Sequence, residues 1–120
     1  MANVRMSRIN AEIQKCVAEI ITNKINNPAI DGMIVSVVRV DTAPDLSDAK
    51  VFISILGSDE QKKSCFDAIV NATGFIRHEL SRMVRLKSIP TLNFKVDNSY
   101  ENSERINALL EQIKTGESDE

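Results

Sequence analysis

Residues Asn71 to Leu80 read NATGFIRHEL, and they interrupt a segment that otherwise has helical periodicity from about residue 60 to about residue 86. A glycine inside a helix costs roughly 1 kcal/mol relative to alanine. Three readings of Gly74 are open. It can end one helix in a left-handed conformation before another begins. It can be a point where two helices pack closely. It can also bend the chain so that free N–H groups at a helix start face an anion. Each reading turns one long helix into a broken pair.

The rest of the chain arranges itself around that pair. Upstream, Ile9, Ile13, Cys16, Val17, Ile20 and Ile21 recur in steps that place them on one arc of a helix from about Arg5 to Ile25. Asn26-Asn27-Pro28 ends it, because the residue before proline is pushed out of the helical region. IVSVVRV, Ile34 to Val40, is rich in β-branched residues and predicts a strand. KVFISIL, Lys50 to Leu56, predicts a second, with Val51, Ile53 and Ile55 on one face. DTAPDLSD between them is a turn or bulged loop in which Asp45 and Asp48 support the turn.

Ser58 or Asp59 caps the next helix, which carries Cys65, Phe66, Ile69 and Val70 on one side. Beyond Gly74 the apolar arc resumes with Ile76, Leu80, Met83 and Val84, and Ser88 to Pro90 breaks it. TLNFKV, Thr91 to Val96, alternates as a half-buried strand. Ile106, Leu109, Leu110 and Ile113 then mark an amphipathic helix, and TGESDE is an acidic tail.

The order is therefore α-β-β-α-α-β plus a C-terminal helix, with the helices on one side of a three-stranded sheet. A chain of 120 residues suits one domain and is large enough to fold without disulfides or metal. Cys16 and Cys65 sit among apolar neighbours, with no CxxC and no histidine cluster, and read as reduced core residues. The opening residues lack a signal-peptide core, and no apolar run approaches a membrane span. The expectation is a cytoplasmic, membrane-free protein.

Net charge is −2, but it is unevenly spread. From Asp97 onward seven acids face two bases, a charge of −5, so residues 1–96 carry +3. Within the basic part, Arg77, His78, Arg82 and Arg85 fall on one arc of the helix after Gly74, opposite the apolar arc, and Lys87 follows. Glu79 is the sole acid between Gly74 and Pro90. This face is either an ordinary solvated helix surface or a set of arginine forks for phosphate oxygens. On the first helix Arg5, Arg8 and Lys15 are weaker candidates, because Glu12 and Glu19 share their face. His78, the single histidine, has no acid–base or metal partners in the sequence and reads as a surface residue. No nucleophile motif, phosphate-binding glycine loop or paired-carboxylate arrangement is recognisable. The residues point to a nucleic-acid binder rather than an enzyme, with no cofactor and no metal.

Four stretches together resemble one family. They are RMSRINAEIQKCVAEII, then NNPAIDGMIVSVVRVDTAPDLSDAKVFISILG with its Asp45, Leu46, Ala49 step, then ATGFIRHEL, and last IPTLNFKVDNSYENSERINALL. The resemblance is to the bacterial ribosome-binding factor A family and covers nearly the whole chain. It implies a type II KH-like α+β fold over residues 1–97, a C-terminal helix over 98–114 and an acidic tail over 115–120. It also implies that Ala72, Thr73 and Gly74 form a kink where other KH domains carry a GxxG clamp on the nucleic-acid backbone. As partners it implies the free 30S subunit, the 5′-terminal region of 16S rRNA and ribosome-associated GTPases, with the protein itself a monomer. As a role it implies 16S rRNA processing important in the cold. Arg77, Arg82, Arg85 and Lys87 would be the first RNA contacts, and Arg5, Arg8 and Lys15 the second. The alternative is a general single-stranded RNA- or DNA-binding module.

Overall fold

The computed structural model describes residues 4–97. The expected C-terminal helix and acidic tail lie outside the described residues. Helix α1 spans Val4–Glu19 and continues as one π-helical turn, Ile20–Lys24. Strands β1 (Ile34–Thr42) and β2 (Asp48–Leu56) follow, then α2 (Asp59–Asn71), α3 (Thr73–Met83) and β3 (Thr91–Val96). The sheet order is β1-β2-β3, with β1 antiparallel and β3 parallel to β2.

The apolar arc of α1 packs Ile13, Val17, Ile20 and Ile21 into the core. The wider π turn shifts the residue spacing at the point where Ile20 and Ile21 enter it. From the sheet come Val37, Val40, Ala49, Val51, Ile53, Ile55 and Leu92. Val37 and Val40 both face the helices although three residues apart, because Val38 is an extra residue between the pairs Val37–Ile53 and Arg39–Phe52. Side chains of α1 also bond to β1 directly. Gln14 Nε2 donates to the Val37 carbonyl at 2.9 Å, and the Thr42 N–H donates to Asn10 Oδ1 at 3.0 Å. In the β1–β2 turn, Asp45 accepts from the Ser47 N–H at 3.0 Å, and bonding to Ser47 holds its carboxyl below the ordinary range. Burial raises both thiols, Cys16 and Cys65, above the usual value.

Ser58 caps α2 with a reciprocal pair. Its hydroxyl accepts from the Gln61 N–H at 3.2 Å, and its own N–H donates to Gln61 Oε1 at 2.9 Å. Phe66 and Val70 do not join Cys65 and Ile69 in full burial. Phe66 is half-buried and Val70 is exposed, because α2 turns mainly the Cys65–Ile69 line to the sheet.

Two expectations are corrected at α3. The break between the helices is at Ala72, inside the expected Ala72-Thr73-Gly74 kink but not at a left-handed glycine. Ala72 sits at φ −92°, ψ 10°, its N–H donating to the carbonyls of Ala68 and Ile69 at 3.1 and 3.0 Å. The Thr73 hydroxyl donates to the Val70 carbonyl at 2.6 Å. Gly74 lies inside the first turn of α3, and a Cβ built on it would meet nothing within 4 Å. It is neither a left-handed cap nor a close-packing point. The second correction is the helix end. The chain leaves the helix after Met83, with Val84 extended at φ −117°, ψ 153°. Val84 is nevertheless buried, as its place on the apolar arc predicts.

Gly32 has φ +80°, and the second described glycine whose backbone favours glycine is Gly57. Its φ is +152°, and an added Cβ would stand 2.9 Å from Gln61 Oε1 and 3.0 Å from Met33 Cε. Gly57→Ala is expected to destabilise by about 1–3 kcal/mol through strain and the disturbed cap. Gly74→Ala should be neutral or stabilising by up to about 1 kcal/mol. Urea unfolding midpoints of the two variants check the contrast.

Candidate nucleic-acid interface

The cations singled out by the sequence do not form one continuous arc. Arg77 folds back on the chain beyond its own helix. Its Nε donates to the Pro90 carbonyl at 3.0 Å and its Nη2 to the Ile89 carbonyl at 2.6 Å. Carbonyl partners leave its charge unneutralised, and its remaining N–H groups are still available. Arg77 thus ties the segment before β3 to α3 while staying exposed. Arg82 lies 3.5 Å from Glu79, which also stands 4.0 Å from Lys24 of the π turn. Glu79 therefore serves two cations and is itself largely buried, with 14% of its side chain exposed.

Arg85 is not on the helical arc, because α3 has ended at Met83. It and Lys87 stand exposed on the non-helical segment leading to β3. That displacement brings Arg85 to α1. A cleft of about 370 Å³ lies between the two, lined by Arg8, Ile9 and Glu12 on one side and Met83 to Leu86 on the other. Arg5 and Lys15 are exposed on the same helix. At the other end of α3, Gly74, Arg77, His78, Ser81 and Ile89 line a second, more open concavity of about 410 Å³. The missing side chain at Gly74 keeps the floor there low enough for a close approach.

Two sets of cations escape a reading of the sequence. Lys24 is not visible there as a partner of Glu79, because the pair spans two elements distant along the chain. Arg39 is hidden by the bulge. The pairing aligns Arg39, Phe52 and Lys95 across the three strands, with the Arg39 guanidinium 4.1 Å from the ring centroid. Simple alternation through β1 would have placed Arg39 on the buried face. Among the described residues no group of three or more His, Cys, Asp or Glu could hold a metal ion. No helix among them is long and apolar enough to cross a membrane.

A helix pair broken at Ala72 and returning to lay β3 parallel to β2, with cations along the helices, defines a KH-like α+β domain. Comparison with known proteins agrees. The family profile described as Ribosome-binding factor A matches residues 5–110. The ribosome-binding factor A of Clostridium novyi is 44% identical over 114 residues, 95% of this chain and 93% of that protein. That of Clostridium botulinum (strain Okra / Type B1) is 42% identical over 120 residues, 100% of this chain and 99% of that protein. The chain belongs to the ribosome-binding factor A family. Among solved structures, the crystal structure of ribosome-binding factor A from Thermus thermophilus superposes with a TM-score of 0.67 at 21% identity, covering 78% of this chain and 97% of that one. Coordinates of the Thermus thermophilus protein fitted into a cryo-EM map of a 30S complex superpose at 0.60 and 21% identity, covering 74% and 91%.

The two arginines of α3 should respond differently to truncation. Arg77→Ala removes two charge-assisted bonds to loop carbonyls and is expected to cost about 1–3 kcal/mol. Arg82→Ala removes an exposed partner from Glu79, which keeps Lys24, and should cost about 1 kcal/mol or less. Denaturant unfolding of both variants measures the difference.

Proposed function

We propose that this chain binds the free 30S ribosomal subunit and acts as a non-enzymatic assembly factor. The observation that carries the reading is identity of 42–44% over nearly the full chain to proteins named ribosome-binding factor A. The cations on and beside α1 and α3 give that reading a physical basis. Arg8, Lys15, Arg85 and Lys87 are exposed and make no ion pair among the described residues, so their charge is available to phosphate. Arg82, Arg77 and Arg5 add to the same field.

A binder of this kind changes rRNA by preferring one arrangement over another, so its effect equals its differential affinity. The finer role follows the family resemblance: contact near the 5′ end of 16S rRNA, support of its processing with particular weight in the cold, action as a monomer in the cytoplasm, and release by a ribosome-associated GTPase. Ala72 and Thr73 set the angle between α2 and α3. Gly74 leaves space for a ligand rather than for the protein's own packing. The acidic residues from Asp97 onward would discourage indiscriminate RNA binding.

Co-sedimentation with purified 30S, 50S and 70S particles at two salt concentrations tests the reading. Selective association with free 30S is expected, weakening as salt rises. Arg82→Glu, Arg85→Glu and Lys87→Glu together should abolish it without unfolding the protein, since none of these side chains is buried. Gly74→Val should weaken it more than its small effect on stability explains. Equal affinity for free oligonucleotides and for the subunit would instead favour a general single-strand binder.

A further inference from the structure

The cleft between α1 and the segment after α3 has a composition that a simple phosphate patch does not need. Its apolar floor is formed by Ile9, Met83 and Leu86, each half-buried rather than packed away. Arg8 and Arg85 stand on its two walls, and Glu12 lies one turn from Arg8. Among the described residues Arg8, Glu12 and Arg85 make no ion pair or side-chain hydrogen bond. A carboxylate repels phosphate, so Glu12 would weaken a surface built for the backbone alone. It is useful if the occupant also brings hydrogen-bond donors. At about 370 Å³ the cleft falls within the range of small-ligand sites, roughly 300–1,000 Å³.

We infer that this cleft takes a single unpaired RNA nucleotide, an inference that rests on the rRNA-binding reading above. The base lies on the apolar floor, with the arginine guanidinium planes as its stacking surface. Arg8 and Arg85 take the flanking phosphates. Glu12 accepts from an exocyclic amine, the contact a carboxylate makes with N4 of cytosine. Uracil offers a carbonyl at that position and is repelled by the same carboxylate. The occupant is therefore a base with an exocyclic amine, so that a cytidine is taken in preference to a uridine. This site stands at the far end of α3 from Gly74, roughly 14 Å along a helix rising about 1.5 Å per residue.

The test compares fluorescein-labelled oligocytidylate and oligouridylate of equal length, titrated with the full chain at low salt and followed by anisotropy. Wild type should bind the cytidine strand about fivefold to tenfold more tightly. Glu12→Gln, whose amide can donate to the uracil carbonyl, should bring the ratio to about one or below. Arg8→Gln and Arg85→Gln should weaken both strands by similar factors. Equal wild-type affinities, an unchanged ratio in Glu12→Gln, or no binding to either strand overturns the cleft assignment. Co-sedimentation of the same wild-type preparation with 30S particles is read in parallel. Its loss with the cytidine preference intact counts against the subunit reading and not the cleft. Its presence without the preference counts against the cleft alone.

Discussion

Parallel pairing of β2 with β3 is the constraint from which the rest of the molecule follows. To lay Thr91 beside Asp48 and Val96 beside Ile53, the chain must leave the end of β2 and return to its beginning. Helices α2 and α3 make that return, and both bury apolar lines against the rest of the fold. One straight helix of their combined length would overrun the paired strand, and the break at Ala72 redirects the path. The Arg77 guanidinium then holds the last part of the return, where Ile89 and Pro90 lead into β3. Much of the candidate RNA surface lies along this route or faces it from α1.

The two glycines on that path illustrate how differently one residue type is used. Gly57 follows β2 with a positive φ, and a Cβ there would crowd the Gln61 side chain that caps α2, so the fold favours glycine. Gly74 has helical geometry and open space around it, so the fold does not. Gly74 instead borders the concavity lined by Arg77 and His78. The arginines divide in the same way. Arg77 serves the chain's own carbonyls and Arg82 shares Glu79 with Lys24, whereas Arg8 and Arg85 make no ion pair among the described residues and face each other across an apolar floor.

Much of this architecture is legible in order and type. The β-branched runs, the alternation of Thr91 to Val96, the Ser58 cap and the one-sided stripe of α1 are local patterns, and local patterns survive folding when burial agrees with them. The misreadings share one cause. Periodicity groups Val70 with Cys65 and extends α3 past Met83 to include Arg85, because it carries no information on where a neighbouring element begins. The bulge at Val38 likewise conceals the Arg39–Phe52–Lys95 row, since one inserted residue inverts the alternation on which the reading relies. Helix propensity marks the glycine as the kink, yet Ala72 breaks the helix.

By itself the sequence determined the order of the main helices and strands among residues 4–97, most of their apolar positions, the uneven charge and the family, because each is carried by residue type and spacing along the chain. Tertiary structure alone decided which cations act together. Arg85 lines one cleft with Arg8 and Glu12 because the chain leaves the helix after Met83, and Arg77 folds back because two carbonyls across the loop lie within its reach. Distances between residues far apart in sequence set these outcomes, and they arise when the helices settle on the sheet.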